Sequence, residues 1–113
     1  MESTHRRVEE WSIRYHQLVA EKLKAQPERV LAKARANLAR LRRQHPNSEP
    51  YMARWQALLE GPLDELLNVM VSPGEDARAL RQCTPFAGVV PPRERSAAFR
   101  EFAREWRRSR AAR

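Results

Sequence analysis

Apolar residues recur in steps of three and four along most of this 113-residue chain, and prolines divide the pattern into segments. This is the period of one face of an α-helix. No run of alternating β-branched or aromatic residues is long enough to predict a strand, and the pair Val89-Val90 leads directly into two prolines. The sequence therefore predicts an all-α fold, a compact single-domain bundle of five or six short helices that spans residues 1–113.

The prolines and capping residues also predict where the helices begin and end. We expect Ser3 or Thr4 to cap the first helix, Gly61 to end the third in a left-handed conformation, and Ser72 with Glu75 to form a capping box before the fifth. The tail from about residue 108 is open to fraying. The expected helices cover about 4–25, 27–44, 48–60, 62–70, 73–82 and 92–110.

Each helix has an apolar stripe that is expected to face the core. We interpret the tryptophans at 11, 55 and 106 as core anchors, although one of them could instead be an exposed interface anchor. His16 is expected at the surface or its boundary. The stripes are Val8, Trp11, Tyr15, Leu18 and Val19; Val30, Leu31, Ala34, Leu38 and Leu41; Tyr51, Trp55, Leu58 and Leu59; Leu63, Leu66, Leu67 and Met70; and Phe99, Phe102, Ala103 and Trp106.

The formal net charge of +8 and the pI near 10.9 favour an acidic partner, whether nucleic acid, an anionic membrane or an acidic protein surface. In the last helix, pairs from Glu101 to Arg104 and from Glu105 to Arg108 would instead give a solvated face. The spacing of the prolines does not match a helix-turn-helix motif. The candidate nucleic-acid contacts are Arg29, Lys33, Arg40 and Arg43 on the second helix, and Arg100, Arg104, Arg107 and Arg108 on the last.

Few residues suit catalysis, metal binding or secretion. Cys83 is the only cysteine, which excludes an internal disulfide and a thiolate zinc site, and the three histidines lack metal-ligand spacing. No nucleophile and base stand at a recognisable spacing, and no glycine-rich phosphate loop is present. We therefore expect no enzyme, metal or cofactor, with a Cys83 nucleophile as a remote alternative. No secretory signal or membrane span is visible, so a cytoplasmic protein is expected.

The segment from residue 83 to 91 interrupts the helical pattern. Pro85 fixes one dihedral angle, Phe86 supplies a large apolar side chain, and Gly88 permits a positive φ or a close backbone approach. We favour the interpretation that Phe86 plugs into the bundle and holds the crossing between the fifth and sixth helices. The alternative is a loop that faces a partner.

This segment carries a resemblance. Leu80-Arg81-Gln82, Pro85-Phe86-Ala87-Gly88-Val89 and Glu94-Arg95 resemble the C-terminal signature of short basic bacterial helical proteins, and the residues around Trp55 resemble a segment that often precedes it. Such proteins are similar to antitoxin-like partners in toxin–antitoxin modules.

The resemblance covers about residues 11–95. It implies a non-catalytic protein that binds a partner protein such as a cognate toxin. The candidate partner-binding residues are Trp55, Arg81, Phe86 and Gly88, which either shape the contact surface or support the loop that does. Antitoxins often bind operator DNA too, so nucleic-acid binding is the alternative function. Association into a homo-oligomer is left open.

Overall fold

The computed structural model describes residues 2–111, and their side chains from residue 5 onward. The backbone of these residues forms six α-helices and one short 3₁₀ turn, and no strand occurs among them. The all-α prediction is confirmed. The elements are α1 (Glu2–Ala25), α2 (Pro27–Gln44), the 3₁₀ turn (Pro46–Ser48), α3 (Glu49–Glu60), α4 (Leu63–Val71), α5 (Glu75–Gln82) and α6 (Pro92–Ala111).

Two prolines begin helices directly. Pro27 is the first residue of α2, where its missing amide hydrogen is not needed and its fixed φ suits the helix. Pro92 begins α6 in the same way, and the amide of Arg95 donates to the carbonyl of Pro91 over 2.9 Å. The last helix therefore starts without a side-chain cap.

The caps predicted from the sequence are wrong. Because α1 begins at Glu2, Ser3 and Thr4 lie inside its first turn. The Ser72 hydroxyl accepts from the Gly74 amide over 3.2 Å, a local turn ahead of α5, and no side-chain cap bond forms at the α5 N-terminus. Gly61 has φ −93° and ψ −165°, which is extended and not left-handed. At the other end α6 continues to Ala111, and the rest of the predicted frayed tail, residues 112–113, lies outside the described residues.

The longest helix, α1, is the centre of the bundle. It packs against α2, α4 and α6, while α3 packs against α2 and α4, and α5 packs against α4. The Cα radius of gyration is 14.7 Å, close to the roughly 13 Å expected for a compact domain of this length. The core consists of Val19, Leu23, Val30, Ala34, Leu38, Met52, Trp55, Leu59, Leu66, Met70, Leu80, Phe86, Val89 and Val90, with Ala20 at its edge.

Some predicted stripe residues point away from this core. Tyr51 is 46% exposed, and Met52 takes its place beside Trp55 and Leu59 on α3. Val8 on α1 is 62% exposed, and Phe99 on α6 is 40% exposed. Leu63 is exposed as well. Of the three tryptophans only Trp55 is fully buried. Trp11 is half-buried against Phe99 of α6, and Trp106 is half-buried and stacks on Phe102 within α6.

Candidate functional site

The loop of residues 83–91, named here the central loop, packs against α1, α2 and α3, with Pro85, Phe86, Val89 and Val90 buried and Ala87, Gly88 and Pro91 exposed. The Phe86 ring is fully buried and meets the Trp55 ring edge to face at 5.6 Å and the His16 ring at 6.3 Å. Gly88 has φ +77°, and a Cβ there would lie 3.0 Å from Cε of Lys33. The burial of Phe86 confirms that it plugs into the bundle, but the rings that it meets lie on α1 and α3 and not at a crossing of α5 and α6.

Three consecutive carbonyls of the central loop accept hydrogen bonds from helix side chains. The Asn37 amide on α2 donates to the carbonyls of Pro85 and Ala87, at 2.8 and 2.9 Å, and the Tyr15 hydroxyl on α1 donates to that of Phe86 at 2.8 Å. A loop in a bundle interior lacks the backbone partners that a helix or sheet supplies, so side chains must satisfy its polar groups. These bonds fix the loop to α1 and α2.

His16 extends this network and corrects our prediction that it lies at the surface, since it is only 1% exposed. Its Nδ1 lies 2.7 Å from the Ser12 carbonyl and its Nε2 lies 2.8 Å from the Thr84 hydroxyl. A carbonyl only accepts, so Nδ1 carries the proton and Nε2 accepts from Thr84, whose oxygen accepts in turn from the Phe86 amide. Burial lowers the pKa of His16 to about 4, opposed by the Ser12 bond and assisted by the nearby Arg81 charge.

Arg81 and Trp55 also act inside the protein. The Trp55 indole donates to the Leu80 carbonyl over 2.9 Å, and an Arg81 Nη donates to the Val69 carbonyl over 2.9 Å. Arg81 is 4% exposed, and burial lowers its pKa. Its Nε is buried without a hydrogen-bond partner among the described residues.

The predicted partner-binding residues thus divide into two groups. Trp55, Arg81 and Phe86 are buried, so of the two roles predicted for them the fold suits support of the loop and not direct contact with a partner. Gly88 is exposed at the turn of the central loop. The buried three support the loop and the helix crossing behind it.

Cys83 is half-buried at the start of the central loop, where its thiol approaches the Leu80 carbonyl at 3.4 Å. Burial raises the pKa of the thiol, which lowers the fraction of reactive thiolate. In the described part of the chain, no three His, Cys, Asp or Glu side chains lie together as metal ligands. Within residues 2–111, no helix has both the length and the apolar character to cross a bilayer.

All eight predicted nucleic-acid contacts are exposed, and none of them forms an ion pair among the described residues. The intrahelical pairs that we expected on the last helix do not form. Glu105 instead pairs with Arg14 on α1, and Glu94 pairs with Lys22 on α1 over 2.9 Å. The helix α6 therefore uses two of its three acids to hold itself on α1.

A shallow cleft lies between α1 and α6, and we name it the α1–α6 cleft; Trp11, Arg95, Ser96, Phe99 and Arg100 line it. The Trp11 and Phe99 rings meet edge to face, with centroids 5.0 Å apart. The sequence placed both rings in the core because a stripe pattern does not show how many neighbours a helix has. The sequence placed Val8 on the same stripe, although it is 62% exposed, and so contained no signal that this edge is uncovered.

Comparison with known protein families, curated proteins and solved structures finds no significant match. The fold and these surfaces define a small basic all-α protein with a buried, side-chain-anchored loop and an arginine-rich outer helix.

Proposed function

We propose that this chain is a non-catalytic helical binding module of the antitoxin type, which binds and neutralises a partner protein encoded beside it. The observation that carries the proposal is the charge on the outer face of α6. That helix has seven arginines and three glutamates, and two of the glutamates are paired with α1. The arginines are all exposed.

An arginine-rich helix of this kind suits an acidic protein surface. The guanidinium group makes two parallel hydrogen bonds to a carboxylate, and arginine is enriched at the energetic centres of protein interfaces. Glu101 is the one acid of α6 that is not paired within the described residues. Carboxylates of the bound partner would pair with these arginines, which contact solvent in the free protein.

The buried network supports this function by making the surface rigid. Tyr15, His16 and Asn37 bind the central loop to α1 and α2, and the ion pairs of Glu94 and Glu105 hold α6 on α1. A surface that is ordered before binding loses less conformational entropy on association. The cytoplasm is the proposed location, which a chain with a single cysteine suits.

The test is co-expression with the product of the adjacent gene. We expect a stoichiometric complex in size-exclusion chromatography, rescue of growth where that product is toxic, and weaker binding for the variant Arg104→Glu/Arg107→Glu/Arg108→Glu. A matched control changes Arg29, Arg40 and Arg43 on α2 to Glu. A monomeric chain that neither binds the adjacent gene product nor relieves toxicity would refute the proposal, and the same chromatography reports any homo-oligomer.

Nucleic-acid binding is the second candidate, and one observation favours it. Exposed cations occur on two helices, α2 and α6, and the eight named residues form no ion pairs in the described part of the chain. Such a protein would lose affinity steeply with salt, because each phosphate contact releases counterions. If both the α2 and the α6 triple variants lower duplex-DNA affinity and flatten its salt dependence, nucleic acid is the partner.

A further inference from the structure

We propose that the α1–α6 cleft binds an acidic segment of a partner protein that carries one large apolar side chain. This inference rests on the proposed function and assigns its contact site. The contact site then lies on a surface that the central loop does not form, and not at the buried residues of that loop.

The floor of the cleft is apolar and uncovered. Phe99 is 40% exposed and meets the half-buried Trp11 in the cleft, and Val8, which is 62% exposed, lies beside the cleft, one helical turn before Trp11 on α1. Val8 and Trp11 are three residues apart on α1 and so share a face. A patch of two aromatic rings and an aliphatic side chain gains free energy when an apolar side chain excludes water from it.

The rim of the cleft is basic. Arg95 and Arg100 line it, and the Arg7 guanidinium lies 5.9 Å from the centre of the Phe99 ring. The nearby acids Glu94 and Glu105 are engaged by Lys22 and Arg14, and this leaves the rim arginines without an ion pair in the described part of the chain. An apolar floor inside an arginine rim is complementary to an apolar residue flanked by carboxylates.

The same contacts favour a protein segment over a nucleic acid. A base would need an open ring face on which to stack. Arg7 covers one face of Phe99, and Trp11 meets the same ring edge to face. The Val8 side chain cannot form a hydrogen bond with a phosphate or a base edge, whereas it can pack against an aliphatic or aromatic side chain. Tryptophan and arginine together are typical of interface centres.

Binding of the adjacent gene product to four single variants tests the site. We expect Phe99→Ala and Arg100→Glu each to weaken binding by about tenfold or more, as for central interface residues. Tyr51→Ala, at a similarly exposed aromatic residue on α3, and Arg43→Glu on α2 are matched controls and should change affinity less than about twofold. If the adjacent gene product binds but all four variants bind equally well, the site is wrong and the proposed function stands.

A second probe tests the site without that product. We would titrate the ¹⁵N-labelled protein with a synthetic glutamate-rich peptide that contains one central leucine, and with the same peptide carrying alanine instead. The Trp11 indole signal and the amides of Val8, Ser96 and Phe99 should shift, more strongly with leucine, while the buried Trp55 indole should not. Shifts confined to other surfaces, or no shifts at millimolar peptide, overturn the proposal.

The two probes separate the ways of failing. If the adjacent gene product does not bind while the leucine peptide shifts the cleft signals, the proposed function fails and the cleft remains a site for acidic apolar segments. If a short DNA duplex shifts the same signals at lower concentration than the peptide, the occupant is a nucleic acid and the proposal is wrong. The Phe99→Ala result counts only if the thermal unfolding midpoint of the variant stays near that of the wild type. If the midpoint falls, the binding of Arg100→Glu, a change at an exposed residue, tests the site instead.

Discussion

Protonation of His16 should destabilise the fold in mild acid. The ring is buried, its Nδ1 donates to the Ser12 carbonyl and its Nε2 accepts from Thr84, so a second proton on Nε2 would face a hydroxyl that already donates there. Burial lowers the pKa from 6.5 to about 4 in the folded protein, with a further lowering from the charge of Arg81. The folded state therefore resists a proton that the unfolded chain accepts.

The sign and size follow from proton linkage. Because the folded pKa is the lower one, the unfolded chain binds more protons between about pH 4 and 6.5, and stability falls as the pH decreases through that window. The gap between the two pKa values corresponds to about 3 kcal/mol in total. Between pH 7 and pH 5 alone, the loss is about 2 kcal/mol.

Urea unfolding followed by circular dichroism at pH 7 and pH 5 measures this loss. Carboxylates also titrate in acid, so the quantity to compare is the difference between wild type and His16→Gln, which removes only the imidazole. The variant should be less stable at pH 7 because it breaks the bonds to Ser12 and Thr84. That deficit should shrink by about 2 kcal/mol at pH 5. A deficit that is the same at both pH values would refute the assignment of a neutral, buried imidazole.

Three further predictions concern the central loop. Phe86→Ala should lower the free energy of unfolding by about 3–5 kcal/mol, whereas the half-exposed Phe99→Ala should cost much less, as chemical denaturation would show. Gly88→Ala should cost about 1–2 kcal/mol because φ is +77°, and adding Lys33→Ala should recover only the part due to the 3.0 Å contact. Cys83 should react slowly with a disulfide reagent at neutral pH and faster as the pH rises, since its pKa is raised, and urea-unfolded protein should react at the ordinary rate.

Local sequence predicts the helices of this protein well. Apolar spacing predicted all six helices, and Pro27 and Pro92 predicted the first residues of α2 and α6 correctly. The same pattern misjudged Val8 and Phe99, because a stripe becomes core only where a neighbouring helix covers it. The helix α6 rests on α1 at one side, so part of its stripe remains in contact with solvent.

The polar anchors could not be predicted, because their partners lie far away in the chain. Asn37 reaches the central loop across 48 residues, and His16 does so across 68. Such contacts depend on how the helices cross, which no local pattern contains. For the same reason the sequence did not predict that Glu105 pairs with Arg14, 91 residues away, and not with Arg108 on its own helix. Exposure of the arginines was predictable, whereas the identity of their counter-charges was not.

The residues on which the proposed antitoxin-like signature depends have roles in the fold. Phe86 fills the core, the carbonyls of Pro85 and Ala87 accept from Asn37, and Gly88 provides the positive φ of the turn. A chain that shares this signature is therefore expected to share the helix crossing that the central loop fixes. The signature includes Glu94 and Arg95 at the start of α6 but none of the later arginines of that helix, which lie away from the buried Phe102 and Ala103. Partner choice should accordingly follow the later arginines of α6, and it should vary among chains that keep the same loop.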